Sequence, residues 1–111
     1  MVYFSTKDPR GFIISCSVEC WNNHLNSHPE IEGYENEAKK AIEDPSYGCI
    51  FLSKHKPSNH DPDRYIYYRK IKGRAAEIRV VVQFDDNNVG TVHSVCFASN
   101  RPKGELLIWP G

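Results

Sequence analysis

The chain has no apolar run close to the ~20 residues a membrane-spanning helix needs, no surplus of charge of either sign, and no repeat or low-complexity segment. The first absence argues against a membrane protein. The second is a balance of 14 Lys and Arg against 14 Asp and Glu; it removes bulk charge as a reason to expect nucleic-acid binding. The start, Met1 to Asp8, lacks the charged-then-apolar layout and small-residue cleavage site of an export signal. A cytoplasmic location is therefore the default expectation. Cysteine is sparse and irregularly placed, at Cys16, Cys20, Cys49 and Cys96. Without an export signal, that pattern predicts reduced, partly buried thiols rather than a disulfide framework.

What is present is the composition of an ordinary globular chain. Its 111 residues, 40% hydrophobic and 25% charged, suit a single domain over 1–111. The charges are unevenly spread. Glu19 to Asp44 is mostly acidic, whereas Lys54, Lys56, Arg64, Arg69, Lys70, Lys72, Arg74 and Arg79 hold most of the cations. An anion-binding surface is expected from this second group, and a solvated sheet face and loop is the alternative.

Ser17 to Glu30 reads as one amphipathic helix with a serine cap and a proline stop. At 100° per residue, Val18, Trp21, Leu25 and His28 share a side and His24 borders it. Val18, Trp21 and Leu25 then dock the helix, leaving two histidines where buried surface meets water. A second helix is expected over Glu35 to Glu43, with Ala38, Ala41 and Ile42 as its apolar stripe and Asp44-Pro45 as its stop. Strand-like segments are Met1 to Phe4, Phe12 to Ile14, Gly48 to Leu52, Arg64 to Ile71, Glu77 to Phe84, Val89 to Ala98 and Leu106 to Trp109. In the sixth of these, strict alternation sets Val89, Thr91, His93, Val95 and Phe97 against Gly90, Val92, Ser94, Cys96 and Ala98. Lys54 to Asp63 is polar and proline-bearing, a surface loop by composition. Helices early and a strand meander late predict an α+β domain, its N-terminal helices packed on a mostly antiparallel sheet of about four to five strands.

Three chemistries compete. Cys16, Cys20, His24 and His28 recur every four residues, but twelve residues of helix span ~18 Å, too far for one zinc ion at about 2.0–2.3 Å from each ligand. His24 and His28 alone would need a third ligand such as His55, His60 or His93. No metal and no cofactor is expected. A Cys-His nucleophile is disfavoured because Cys49 and Cys96 lie in apolar strand runs, where thiols are usually inert. The third chemistry is metal-free RNA cleavage, which needs a base, an acid and cations for the phosphate. His24 and His28 fit the proton-transfer roles, and Arg69, Arg79 and Lys103 fit the phosphate. Ser94 offers a hydroxyl, and Tyr65, Tyr67 and Tyr68 offer rings for unpaired bases.

The order of short motifs adds to this. A Trp-x-x-His helix (Trp21 to His24) precedes His28-Pro29-Glu30 and a short helix ending in Asp-Pro (Ala38 to Pro45). Tyr67-Tyr68-Arg69, Val80-Val81-Val82 and a last segment from Ser94 to Glu105 follow. In this order the chain resembles the phage-associated branch of the barnase–EndoU–colicin–RelE-like (BECR-fold) nucleases, over roughly Ser17 to Trp109. The resemblance implies a small metal-independent endoribonuclease of phage or toxin type, with helices followed by a four-stranded antiparallel sheet. It implies RNA as partner, an inhibitor or antitoxin protein as a second, and a 2′,3′-cyclic phosphate as first product. The family's helix histidine maps onto His24, with His28 in the next motif. Its late-strand hydroxyl, often threonine, maps onto Ser94. Arg69 and Arg79 match by position and charge, and Lys103 and Tyr68 complete the expected phosphate- and RNA-binding set. The alternative is a catalytically silent module of the same fold that binds a partner protein through its Tyr-rich strand and the Lys54 to Asp63 loop.

Overall fold

The computed structural model describes residues 2–46, 49–52, 64–98 and 105–109, the side chains of 49–52 and 105–109 excepted. Strands β1 (Val2–Lys7) and β2 (Ile13–Ser17) lead into helix α1 (Val18–Ser27), a 3-10 turn (Pro29–Ile31) and helix α2 (Glu35–Glu43). Strands β3 (Cys49–Leu52), β4 (Arg64–Arg69), β5 (Glu77–Phe84), β6 (Gly90–Ala98) and β7 (Glu105–Trp109) follow. The protein is thus α+β, with its helices in the N-terminal half. All the strands join one sheet in the order β1-β2-β6-β5-β4-β3-β7.

Each strand-like segment of the sequence becomes a strand of that sheet, so it has seven strands where four to five were expected. The surplus comes from the short N-terminal pair β1–β2 and from β3 and β7, which extend the sheet at its two ends. Every neighbouring pair is antiparallel except β2–β6, which is parallel. That exception follows from connectivity: the chain leaves β2 through both helices and returns only after β5.

Local chemistry sets the helix ends. The Ser17 hydroxyl accepts the Cys20 N–H at 3.0 Å, an N-cap worth about 1 kcal/mol. The far end of α1 closes with the His28 N–H on the His24 carbonyl, and Pro29 follows, where a helix cannot continue. The helix therefore ends at Ser27, and His28 caps it rather than extending it. In α2, Glu35 and Glu37 occupy the first turn, where carboxylates oppose the helix dipole. Ala38, Ala41 and Ile42 are fully buried, and the two alanines let this helix lie close on β4 and β5.

Alternation divides the sheet's two faces. Ile78, Val80 and Val82 of β5 join Ile14, Cys16, Tyr67, Val92 and Val95 under the helices, together with Trp21 and Ile31. The opposite face holds a smaller buried cluster of Ile66, Tyr68 and Val81. Trp21 is 2% exposed and stacks on Tyr3 with ring centroids 5.6 Å apart. Val18 and Leu25 are only partly buried, so Trp21 is the main anchor of α1.

A buried ion pair ties the β1–β2 turn to the middle of the sheet. Asp8 Oδ1 accepts the backbone N–H groups of Arg10 at 2.9 Å and Phe12 at 3.2 Å. Its Oδ2 accepts Arg10 Nε at 2.9 Å, Arg10 Nη2 at 2.8 Å and the Tyr67 hydroxyl at 2.8 Å. The Arg10 guanidinium lies over the rings of Phe12, Tyr65 and Phe84, 4.6 to 5.6 Å from their centroids, where cation–π attraction offsets part of its desolvation. Gly90 is buried where β6 enters the sheet. A Cβ there would lie 2.8 Å from Ile14 Cγ1, 2.9 Å from Val82 Cγ1 and 3.0 Å from Phe84 Cε1.

Candidate functional site

The site forms where β2 stops covering β6. Only Ile14–Gly90 and Ser15–Thr91 pair across that joint, because the chain turns into α1 at Val18. Past Thr91, α1 takes over the edge with side chains. The Cys20 thiol donates to the Val92 carbonyl at 3.1 Å, and His24 Nε2 lies 3.1 Å from the Cys20 sulfur. Burial pushes both the Cys20 and Cys16 thiols up, Cys16 to about 12, so neither is a thiolate at neutral pH. With the Cys20 proton directed at Val92, the sulfur is the acceptor in this contact when His24 carries its proton on Nε2. In that tautomer the neutral His24 ring keeps its lone pair on Nδ1.

A β-bulge brings a second imidazole to this edge. Val81 pairs with Ser94 and Val82 with Val92, leaving His93 without a partner on β5. The extra residue corrects the strict alternation expected of this strand: Val92 and Val95 both reach the core under the helices. Bulges re-aim side chains in this way. Gln83 Nε2 lies 2.9 Å from His93 Nδ1. Arg64 pairs with Gln83, and Gln83 with Thr91, so a row of polar residues crosses β4, β5 and β6 beside the bulge.

These groups feel one another. Burial lowers the His24 pKa below the ordinary imidazole value, and His93 and His28 lower it further, against a raising effect of the Val92 carbonyl. Partial burial also lowers His93, followed by the charge of Arg64, although His93 as a whole stays solvent-exposed. His28, at the end of α1, has Nδ1 3.5 Å from a Glu30 carboxylate oxygen, both side chains being exposed.

Of the residues singled out in the sequence, His24 and His28 thus lie at one edge, together with His93. Ser94 is half-buried, directly after the bulge and opposite Val81. Arg79 pairs in register with Tyr68 and Cys96, and its buried Nε has no hydrogen-bond partner among the described residues. Arg69 is not brought to the histidines. It is held against α2 by Glu37 at 3.5 Å, the Asp44 carboxylate at 3.5 Å and the Asp44 carbonyl at 3.0 Å. Tyr67 and Tyr68 are fully buried, which closes their ring faces to a base; Tyr65 packs on Phe84 with centroids 5.1 Å apart. Lys103 and the Lys54 to Asp63 loop lie outside the described residues, and so do His55 and His60. Among the described residues, no group of three His, Cys, Asp or Glu side chains is placed to hold a metal ion. No described helix is long and apolar enough to cross a membrane.

The sequence points to His93 and Cys20 only as metal ligands and to Arg64 only as one cation of an anion-binding surface, and it does not single out Gln83. The signal that unites them is the bulge, which alternation alone does not reveal. No protein-family model, curated protein or solved structure matches this chain.

Proposed function

We propose that the protein is a metal-independent endoribonuclease whose working groups gather where α1 covers the edge of β6. The observation that carries this reading is the placement of His24 on the β6 edge beside the bulge: its Nε2 is 3.1 Å from the Cys20 sulfur, which bonds the Val92 carbonyl next to His93. Three imidazoles and a guanidinium around one edge suit a phosphodiester better than an apolar ligand. The BECR-like motif order in the sequence points the same way and adds a phage-associated or toxin-like setting, with an inhibitor protein as partner.

In this reading each ring takes one role. His24 is neutral near pH 7 with Nδ1 available, so it takes the proton of a ribose 2′-hydroxyl. The 2′-oxygen attacks the adjacent phosphorus, and the bond from phosphorus to the 5′-oxygen breaks. His28 serves as the general acid. Glu30 keeps the Nδ1 proton in place while Nε2 gives its proton to the departing 5′-oxygen. The products are a 2′,3′-cyclic phosphate and a 5′-hydroxyl. Arg64 offsets the charge that builds on the phosphoryl oxygens. Arg79 and Ser94 serve the same phosphate from the bulge side, whereas Arg69 supports the α2 contact.

The test is incubation of the purified chain with a single-stranded RNA in excess chelator, with products read by 31P NMR. A cyclic-phosphate signal is expected. His24→Ala should lower the rate by at least about a hundredfold, the usual scale of one general base. Intact RNA at high protein concentration would refute the reading and leave the fold as a silent interaction module. Cleavage abolished by the chelator would refute the metal-free mechanism.

A further inference from the structure

The bulge leaves His93 with a single described side-chain hydrogen-bond partner, Gln83, at 2.9 Å from Nδ1. The contacting atom of Gln83 is its amide nitrogen, which has only protons to offer. Nδ1 must therefore present its lone pair, and the ring proton sits on Nε2. A neutral imidazole held this way has no free lone pair and cannot act as a base. It can only donate. We propose that Gln83 is a positioning residue that locks His93 with its proton on Nε2, aimed as a hydrogen-bond donor to a phosphate oxygen beside His24. The phosphate role rests on the ribonuclease reading, whereas the hold on the ring does not.

The surroundings agree. Arg64 acts on His93 from β4 and disfavours a second proton on its ring, while His93 in turn disfavours a proton on His24 of α1. A neutral donor beside a neutral base avoids placing two imidazolium charges at one edge. His24 and His93 thus have distinct tasks: the first accepts a proton, and the second holds the phosphoryl oxygen while the proton moves. Among general acid–base histidines the second nitrogen is usually fixed by a carbonyl or carboxylate acceptor. Here a donor occupies that position, so the usual tautomer is reversed.

Two-bond 1H–15N correlation spectra of the full chain, labelled at histidine, read the tautomer without reference to activity. At pH 7.5, His93 should show a protonated Nε2 and a lone pair on Nδ1. Gln83→Glu, nearly isosteric, places an acceptor opposite Nδ1. It should move the proton to Nδ1 and raise the pH at which the ring charges. Gln83→Leu should give a mixture of tautomers. Backbone amide spectra check that each variant is folded, and Gln83→Glu remains the informative variant if the leucine fails. In RNA cleavage both variants should lower kcat roughly tenfold with KM little changed, the scale of one lost hydrogen bond to a charged group. A wild-type His93 protonated on Nδ1, or tautomers unchanged in both variants, overturns the proposal. A wild-type chain inert toward RNA, but with His93 in the Nε2–H form, overturns the ribonuclease reading and the phosphate role together. It would leave the hold of Gln83 on the ring demonstrated.

Discussion

Replacing Asp8 is the sharpest test of what holds the N-terminal strands to the rest of the sheet. Asp8 is 4% exposed, and its carboxylate receives both backbone and side-chain donors. Asp8→Ala strips the carboxylate from the Arg10 guanidinium, whose side chain is only 18% exposed, and from the buried Tyr67 hydroxyl. Breaking a buried ion pair from one side costs about 3–5 kcal/mol. Because Arg10 keeps some contact with water and three aromatic rings, we expect about 3 kcal/mol. Tyr67→Phe removes the bond its hydroxyl gives Asp8 and the longer one it takes from Arg10 Nη2 at 3.3 Å, together about 2 kcal/mol. Both single changes include the Tyr67–Asp8 bond, so the double mutant should cost less than the sum by about 1 kcal/mol or more. Asp8→Asn should be nearly as damaging as Ala, since its amide nitrogen sets a donor against donors. Urea denaturation at pH 7 with unchanged m-value measures each loss. If Asp8→Ala stays within about 0.5 kcal/mol of wild type, the cost of an ordinary surface change, or if the two losses simply add, the ion pair is not what anchors this turn.

Two further outcomes follow from features already described. Gly90→Ala places a Cβ within 3.0 Å of three side chains at once; overpacking of this kind costs about 1–3 kcal/mol, so the thermal midpoint should fall, and a midpoint at or above wild type would show that β6 can shift to accept a methyl group. Folding holds His24 and His93 below the ordinary imidazole pKa, so below roughly pH 6.5 the unfolded chain binds more protons than the folded one. Their contribution to stability is present above that pH and is lost as pH falls through the lower, folded values. The urea midpoint should therefore drop between pH 7.5 and 5.5, and a flat or rising midpoint over that interval would contradict the burial assigned to these rings.

Elements whose apolar pattern closes locally were readable before the structure. The α2 stripe of Ala38, Ala41 and Ile42 and its Asp44-Pro45 stop give the helix its observed bounds. The alternation of Ile78, Val80 and Val82 gives β5 its face, and Asp85 to Asn88 makes the β5–β6 turn, with Asn88 at φ 61°. The rest depends on partners distant in sequence. Nothing near Arg69 announces that Glu37 and Asp44 will hold it. Tyr67 and Tyr68 are equally compatible with an open or an enclosed sheet until the neighbouring layers are in place. The bulge at His93 is an offset between two strands, a property of their pairing rather than of either strand. Half of the candidate site was therefore visible, namely the two histidines of the first helix and its following motif. The half built on the bulge was not: Arg64 was one cation among eight, His93 a possible metal ligand, and Gln83 carried no signal.

The parallel joint between β2 and β6 bears on the order of folding events. Ile14 and Gly90 stand 76 positions apart, as do Ser15 and Thr91, whereas the β1–β2 and β5–β6 hairpins close over short loops. Contacts of such separation form late, because the chain must lose most of its freedom before they compensate. Both hairpins should thus be structured before this seam joins. The site at the β6 edge, which needs α1 laid against that seam, would then be among the last parts of the molecule to assemble and among the first to loosen.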